Sequence, residues 1–133
     1  MSCSLPLRDD VTLALAYQAA EVFVCPSTED TGPRMIPEAV LCERPVVALN
    51  SGGAPDLVEP LRTGCLAIYE GSCDLAKGFL GVLTSPHLPS MRTAAHEVAH
   101  ERYSQQRVVA NTCELYQTLK DMSHEGKGTL PAP

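Results

Sequence analysis

Two carboxylates that bracket a glycine-containing turn are the residues of this sequence best suited to chemistry. Asp30 and Glu38, with Glu29 beside the first, stand in the run PSTEDTGPRMIPEAVLCERPVVALNSGGAP, from Pro26 to Pro55. A carboxylate accepts hydrogen bonds from sugar hydroxyls more strongly than a neutral side chain does. Near Arg34 a periodic apolar segment begins, and a helix N-terminus there would present unpaired N–H groups and a partial positive charge, which suit a phosphate. The competing reading makes Asp30 and Glu38 solvated acids on an ordinary loop and helix. A second pattern lies further along: His96-Glu97-Val98-Ala99-His100 spells H-E-x-x-H. On a helix it places two imidazoles one turn apart with a glutamate positioned as base, the arrangement of zinc proteases. A third ligand would have to come from Glu114 or His124, and no other protease feature accompanies it. A zinc hydrolase is therefore the remote alternative.

The elements around the acids read as α/β. Three short runs are nearly continuous in apolar residues: Val22–Cys25, Val46–Leu49 and Cys65–Tyr69. Continuity rather than alternation fits strands covered on both faces. Helical patterns separate them. Val11 to Ala20 follows the capping pair Asp9-Asp10 and carries Leu13, Leu15, Ala16 and Tyr17. Met35, Ile36, Ala39 and Val40 repeat at helical spacing before Pro45. Leu75–Leu83 and Met91–Glu101 give two more helices, and a last one runs from about Ser104 to Met122 with Val108, Leu115, Tyr116 and Leu119 as its buried stripe. Alternation of this kind implies right-handed crossovers and a parallel sheet, in which ligands bind at the carboxyl ends of the strands. The loop between Cys25 and Arg34 falls at such an end. The partition expected is one partial Rossmann-like domain over residues 1–122 and a disordered tail over 123–133.

Composition narrows the partners. The chain has 133 residues, room for one domain, with 44% hydrophobic and 20% charged residues. Its net charge is −6 and its ten Lys and Arg are scattered singly, which disfavours nucleic acid. No apolar run approaches the roughly 20 residues of a membrane span, and the opening MSCSLPLRDD meets acids before any signal-peptide core, which argues for the cytoplasm. The six cysteines include no C-x-x-C pair, and several sit in apolar runs, so they read as reduced core residues.

The ordered set of words in this chain resembles the family 4 retaining glycosyltransferases, whose GT-B fold faces two Rossmann-like domains. The C-terminal domain of that family shows an A-A-D-v-f-v-x-P-S strand, an acid, seven residues, a Glu, then a G-x-P-V-V-A strand and a G-G-x-P-E turn. Here Ala19-Ala20-Glu21-Val22-Phe23-Val24-Cys25-Pro26-Ser27 is followed by Asp30, seven residues and Glu38, then Pro45-Val46-Val47-Ala48 and Gly52-Gly53-Ala54-Pro55-Asp56. The match extends from about Leu7 to Leu119 and is similar to the branch that builds bacterial polysaccharides and related glycoconjugates. The resemblance implies a glycosyltransferase moving a hexose from a nucleotide-diphosphate sugar with retention, this chain supplying the nucleotide-sugar-binding part. It implies that Glu38 holds the ribose, that Asp30 or Glu29 touches the transferred sugar, and that backbone amides of Gly32, Pro33, Arg34, Met35 and Ile36 face the diphosphate, with Ser27, Gly52 and Gly53 in the donor site. (Pro33 itself has no N–H to offer.) No metal or cofactor is implied. The acceptor, a glycan or lipid-linked molecule, would be held by a domain that this chain lacks, and the whole enzyme could be peripheral at the inner face of the membrane. A non-catalytic nucleotide-binding or interaction remnant is the alternative.

Four departures from the family pattern generate expectations. Asp30 stands where Glu is usual. Pro37 precedes Glu38 and could delay or kink the helix. Glu43 occupies a helix-end position usual for Gly, where a left-handed residue would cost about 1 kcal/mol relative to glycine. The Arg and Lys that clasp the diphosphate in the family have no counterpart before Leu7. An open sheet edge is expected as well, and with it self-association.

Overall fold

The computed structural model describes residues 9–68 and 72–125. Helix α1 (Asp10–Ala19) starts where Asp9 accepts from the Thr12 amide at 2.7 Å, a side-chain cap. It leads into strand β1 (Phe23–Cys25), helix α2 (Met35–Leu41), strand β2 (Val46–Leu49), the short helix α3 (Ala54–Leu57) and strand β3 (Gly64–Ala67). Helices α4 (Ser72–Leu83), α5 (Leu88–Tyr103) and α6 (Gln105–Glu125) follow. The three strands form one parallel sheet in the order β1-β2-β3, with Phe23 beside Val46 beside Gly64 and Cys25 beside Ala48 beside Leu66. The expected parallel α/β architecture is therefore what forms. Helix α3 has no counterpart among the helices that the sequence patterning marks.

Pleating sorts the strand residues between two apolar layers. Val46 and Ala48 join Tyr17, Ile36, Ala39, Val40, Ala95 and Ala99 on the face covered by α1, α2 and α5. Val47 joins Val82 and Met91, with Leu75 and Phe79 of α4 packed alongside, on the other. All four residues of β2 are buried, so the middle strand is the axis of the core. The cysteines described, Cys25, Cys42, Cys65, Cys73 and Cys113, are all free thiols; Cys25 is buried and Cys42 and Cys65 are half-buried, but Cys73 and Cys113 are exposed and are not core residues.

The two loops leaving the carboxyl ends of β1 and β2 are locked together, backbone against backbone. Ser51 donates its hydroxyl to the Thr28 carbonyl, and the Gly53 amide donates to the Asp30 carbonyl at 2.9 Å. A Cβ on Gly52 would stand 2.1 Å from the Asp30 carbonyl oxygen, and one on Gly53 would stand 2.4 Å from that of Thr31. Gly52 also has φ +55°, a left-handed conformation that glycine adopts without a steric cost. The glycine pair thus lets the second loop lie flat on the first.

Helix α2 ends in a Schellman motif: the Arg44 amide donates to the Ala39 carbonyl at 2.9 Å and the Glu43 amide to Val40 at 3.0 Å. Glu43 has φ +63°, so the left-handed residue expected there is present. Pro37, however, neither delays nor kinks the helix. It is the third residue of α2, inside the first turn, where an amide has no helical partner to lose. Arg44 then ties the ends of α1 and α2 together, donating to the carbonyls of Ala20 and Cys42, both at 2.9 Å.

Two expectations need correction. Val108, Leu115, Tyr116 and Leu119 are not a buried stripe: they are 51%, 59%, 70% and 52% exposed. Helix α6 leans on α5, and among the described residues no further layer covers its apolar side. The helix also continues to Glu125, past the start assigned to a tail; residues 126–133 lie outside the described residues, as does Tyr69.

Three substitutions check this account by urea unfolding. Glu43→Gly should stabilise by about 1 kcal/mol, because glycine removes the left-handed strain. Gly52→Ala should destabilise by about 3 kcal/mol through strain and overlap with Asp30. Gly81→Ala, in α4 where an added methyl meets nothing within 4 Å, should instead stabilise by about 0.5–1 kcal/mol. If Gly52→Ala proves neutral, the backbone contact is not what joins the loops.

Candidate functional site

The acid-bearing loop is a structured turn. Asp30 accepts the Gly32 amide on Oδ1 at 3.0 Å, closing the turn with its own side chain, while its carbonyl takes the Gly53 amide. One carboxylate oxygen of Asp30 is therefore committed to the loop, and Oδ2 is left. Glu29 beside it is exposed. Of the other donor-site candidates, Pro33 is buried beneath the turn and Ser27 is half-buried. Ile36 has its side chain wholly in the core, so only its backbone could face a ligand, and its amide already donates to Pro33 at 3.1 Å. Gly32 and Gly53 likewise spend their amides inside the protein. The amides of Arg34 and Met35 have no protein acceptor among the described residues, so two of the four amides in the expected stretch remain available to an anion. Gly53 is buried and exposed Gly52 lies on the acid loop; both shape the site from behind.

Glu38 lies one turn into α2 and is held from two sides. The Tyr17 hydroxyl donates to Oε2 at 3.1 Å, and Arg34 Nη2 approaches Oε1 at 3.5 Å. Tyr17 is only 8% exposed and meets Phe23 edge-on, the ring centroids 5.4 Å apart. Burial, the hydrogen bond to Glu38 and the carboxylate's charge push the Tyr17 hydroxyl up to about 12, so it stays a donor at any physiological pH. Arg34, by contrast, is 90% exposed, and such a pair is worth at most about 1 kcal/mol. Tyr17, Arg34 and Glu38, with Leu13 and Cys42, line a cleft of about 300 Å³ between α1 and α2. That is the lower end of the volumes small-molecule pockets have, room for part of a nucleotide sugar.

Asp30 and Glu38 therefore sit at opposite ends of one loop-and-helix segment, each with its own partners and with no bond between them. Sequence reasoning located both but missed Tyr17, read only as one residue of an apolar helix face. Its signal is that a buried tyrosine hydroxyl needs a partner. It missed Ser51 and Thr28 too, which depend on how two loops meet.

The other features are less promising. A groove of about 500 Å³ beside β3 and α4 contains none of Glu29, Asp30 and Glu38. His96 and His100 lie exposed on α5 with ring centroids 4.4 Å apart, and His96 Nδ1 is 3.3 Å from Glu43 Oε1. Among the described residues, no three His, Cys, Asp or Glu side chains are grouped to hold a metal ion, and Glu114 does not join His96 and His100; the side chain of His124 lies outside the described residues. No described helix is long and apolar enough to cross a membrane.

Comparison with known proteins identifies the family. The family model "Glycosyl transferases group 1" matches residues 5–85. Over 116 residues the chain is 32% identical to D-inositol 3-phosphate glycosyltransferase 2 of Catenulispora acidiphila, covering 86% of this chain and 27% of that protein. Over 59 residues it is 42% identical to a GDP-mannose-dependent alpha-mannosyltransferase of Mycolicibacterium smegmatis, covering 44% of this chain and 16% of that one. Among solved structures, sucrose-phosphate synthase from Thermosynechococcus elongatus superposes with a TM-score of 0.79 at 26% identity, over 89% of this chain and 30% of that one. Anabaena HepE in complex with UDP and glucose gives 0.71 at 28%, over 86% and 30%. The chain thus spans less than a third of the length of these relatives. The match over more than half of its residues, the parallel sheet and the acid loop placed at its carboxyl end together show that the chain belongs to the group 1 glycosyl transferases.

Proposed function

We propose that this chain carries the donor-binding part of a family 4 retaining glycosyltransferase, holding a nucleotide-diphosphate sugar at the carboxyl end of the sheet. The observation that carries the reading is Glu38: a carboxylate held by a buried tyrosine, with its second oxygen at a cleft, one turn into the helix that follows the acid loop. That oxygen accepts from the ribose hydroxyls. Asp30 through Oδ2, or Glu29, accepts from the sugar, and the amides of Arg34 and Met35 meet the diphosphate, stabilising charge on the departing nucleotide. Support comes from HepE, a similar protein solved with UDP-glucose. The glycan or lipid-linked acceptor belongs to surfaces outside this chain, and polysaccharide or glycoconjugate synthesis in the cytoplasm is the setting proposed. Self-association would cover the open edge of the sheet. No metal takes part.

One observation favours a second reading, nucleotide binding without transfer: an Asp30 oxygen is turned onto its own loop rather than outward. Asp30→Asn separates the two. If Asp30 serves transfer, the substitution should lower sugar transfer by the whole protein about tenfold or more while leaving UDP and GDP binding nearly unchanged; equal transfer by both forms rules out that role.

Calorimetric titration with UDP and GDP tests the main proposal. One of them should bind, EDTA should not alter the affinity, and Glu38→Ala should weaken it about tenfold or more, the cost of a lost charged hydrogen-bond acceptor. Absence of binding at millimolar nucleotide would refute the donor-site reading.

A further inference from the structure

We propose that Tyr17 is a positioning residue for the donor site, fixing the carboxylate of Glu38 in the orientation that receives the nucleotide's ribose; this rests on the reading of Glu38 given above. Glutamate has three rotatable bonds, and freezing them on binding a ligand costs affinity. Glu38 is 31% exposed and its other partner, Arg34, is 90% exposed, so that ion pair leaves the carboxylate free to wander.

Tyr17 supplies the opposite. Its ring is clamped in the core by the edge-on contact with Phe23, and its backbone belongs to the capped helix α1. Its hydroxyl reaches Oε2 at 3.1 Å across the cleft. A phenol rotates about only two side-chain bonds and here has nowhere else to go, so it defines where Oε2 lies. A carboxylate oxygen can take two hydrogen bonds, so Oε2 keeps capacity and Oε1 becomes open whenever Arg34 swings aside. The arrangement presents a fixed pair of acceptors to two neighbouring hydroxyls. Tyr17 itself touches no reacting atom. The plainer reading is a core tyrosine whose hydroxyl takes the nearest acceptor, and the two readings differ in what they predict for ligands.

Tyr17→Phe removes only the hydroxyl. UDP and GDP, and their 2′,3′-dideoxy forms, are titrated into the unmodified chain, Tyr17→Phe, Glu38→Ala and the double variant, with thermal unfolding of each as the check on folding. The expected result is an affinity for the ribonucleotide about tenfold weaker in Tyr17→Phe, no such difference for the dideoxy form, and no loss in the double variant beyond that of Glu38→Ala. An equal loss for ribo and dideoxy forms means a structural role and overturns the proposal. If Glu38→Ala weakens ribonucleotide binding but Tyr17→Phe does not, the inference fails while the donor-site reading stands. If Glu38→Ala binds as the unmodified chain does, or the unmodified chain binds neither nucleotide, both fail.

Discussion

The acid loop of the candidate site depends on one contact in which no side chain takes part: the Gly52-Gly53 backbone lying on the backbone of Asp30 and Thr31. A parallel sheet delivers its loops to one end, but it does not make neighbouring loops rigid with respect to each other. Here the distance between β1 and β2 fixes where both loops begin, and the glycine pair lets their backbones meet directly beside the Ser51–Thr28 hydrogen bond. Once they meet, the Asp30 carbonyl accepts from Gly53, while its carboxylate closes the turn by accepting from Gly32. The loop that carries the first acid is thus shaped by the loop after the next strand. A methyl group at either glycine would intrude on a carbonyl oxygen.

The second acid is placed by a different device. Helix α2 has only seven residues, too few to be stable alone, so its position comes from packing and from its ends. Ile36, Ala39 and Val40 anchor one face in the core, the Schellman motif closes its last carbonyls, and Arg44 joins its end to that of α1. Fixing α1 against α2 brings Tyr17 to Glu38. A strained residue at Glu43 is tolerated within this junction, because the motif needs a left-handed residue there whatever its type.

How much of this was legible in the sequence follows the range of the interactions involved. The strands, α1 with its Asp9 cap and the left-handed Glu43 were readable because each rests on local patterning or on a family word a few residues long. The effect of Pro37 was misjudged because it turned on whether the helix starts at Met35 or earlier, a difference of one turn. The stripe on α6 was misread for another reason: amphipathic spacing shows that a helix has an apolar side, not that anything in the same chain covers it. Tyr17 was invisible as a functional residue because its partner is 21 positions away and on another helix. The acids themselves were found through their spacing, but which of their atoms remain available is a matter of the fold.

Charge then bears on which half of the proposed donor this site would hold better. The chain carries a net charge of −6, and Asp30, Glu29 and Glu38 add acids where a diphosphate would arrive. Against them the described loop offers two unpaired amides and one cation, Arg34, whose pair with Glu38 is long and solvent-exposed. A weak pair is easily exchanged, so Arg34 can leave the carboxylate for a phosphate at little cost, and its departure frees the oxygen that a ribose hydroxyl needs. The two halves of the ligand would therefore assist each other through a single side chain. Even so, one exposed arginine in water screens a diphosphate poorly, so in the proposed complex most of the affinity supplied by these residues would come from the hydroxyl contacts. On the proposed reading, these residues would recognise the sugar rings of a nucleotide sugar more than its charge.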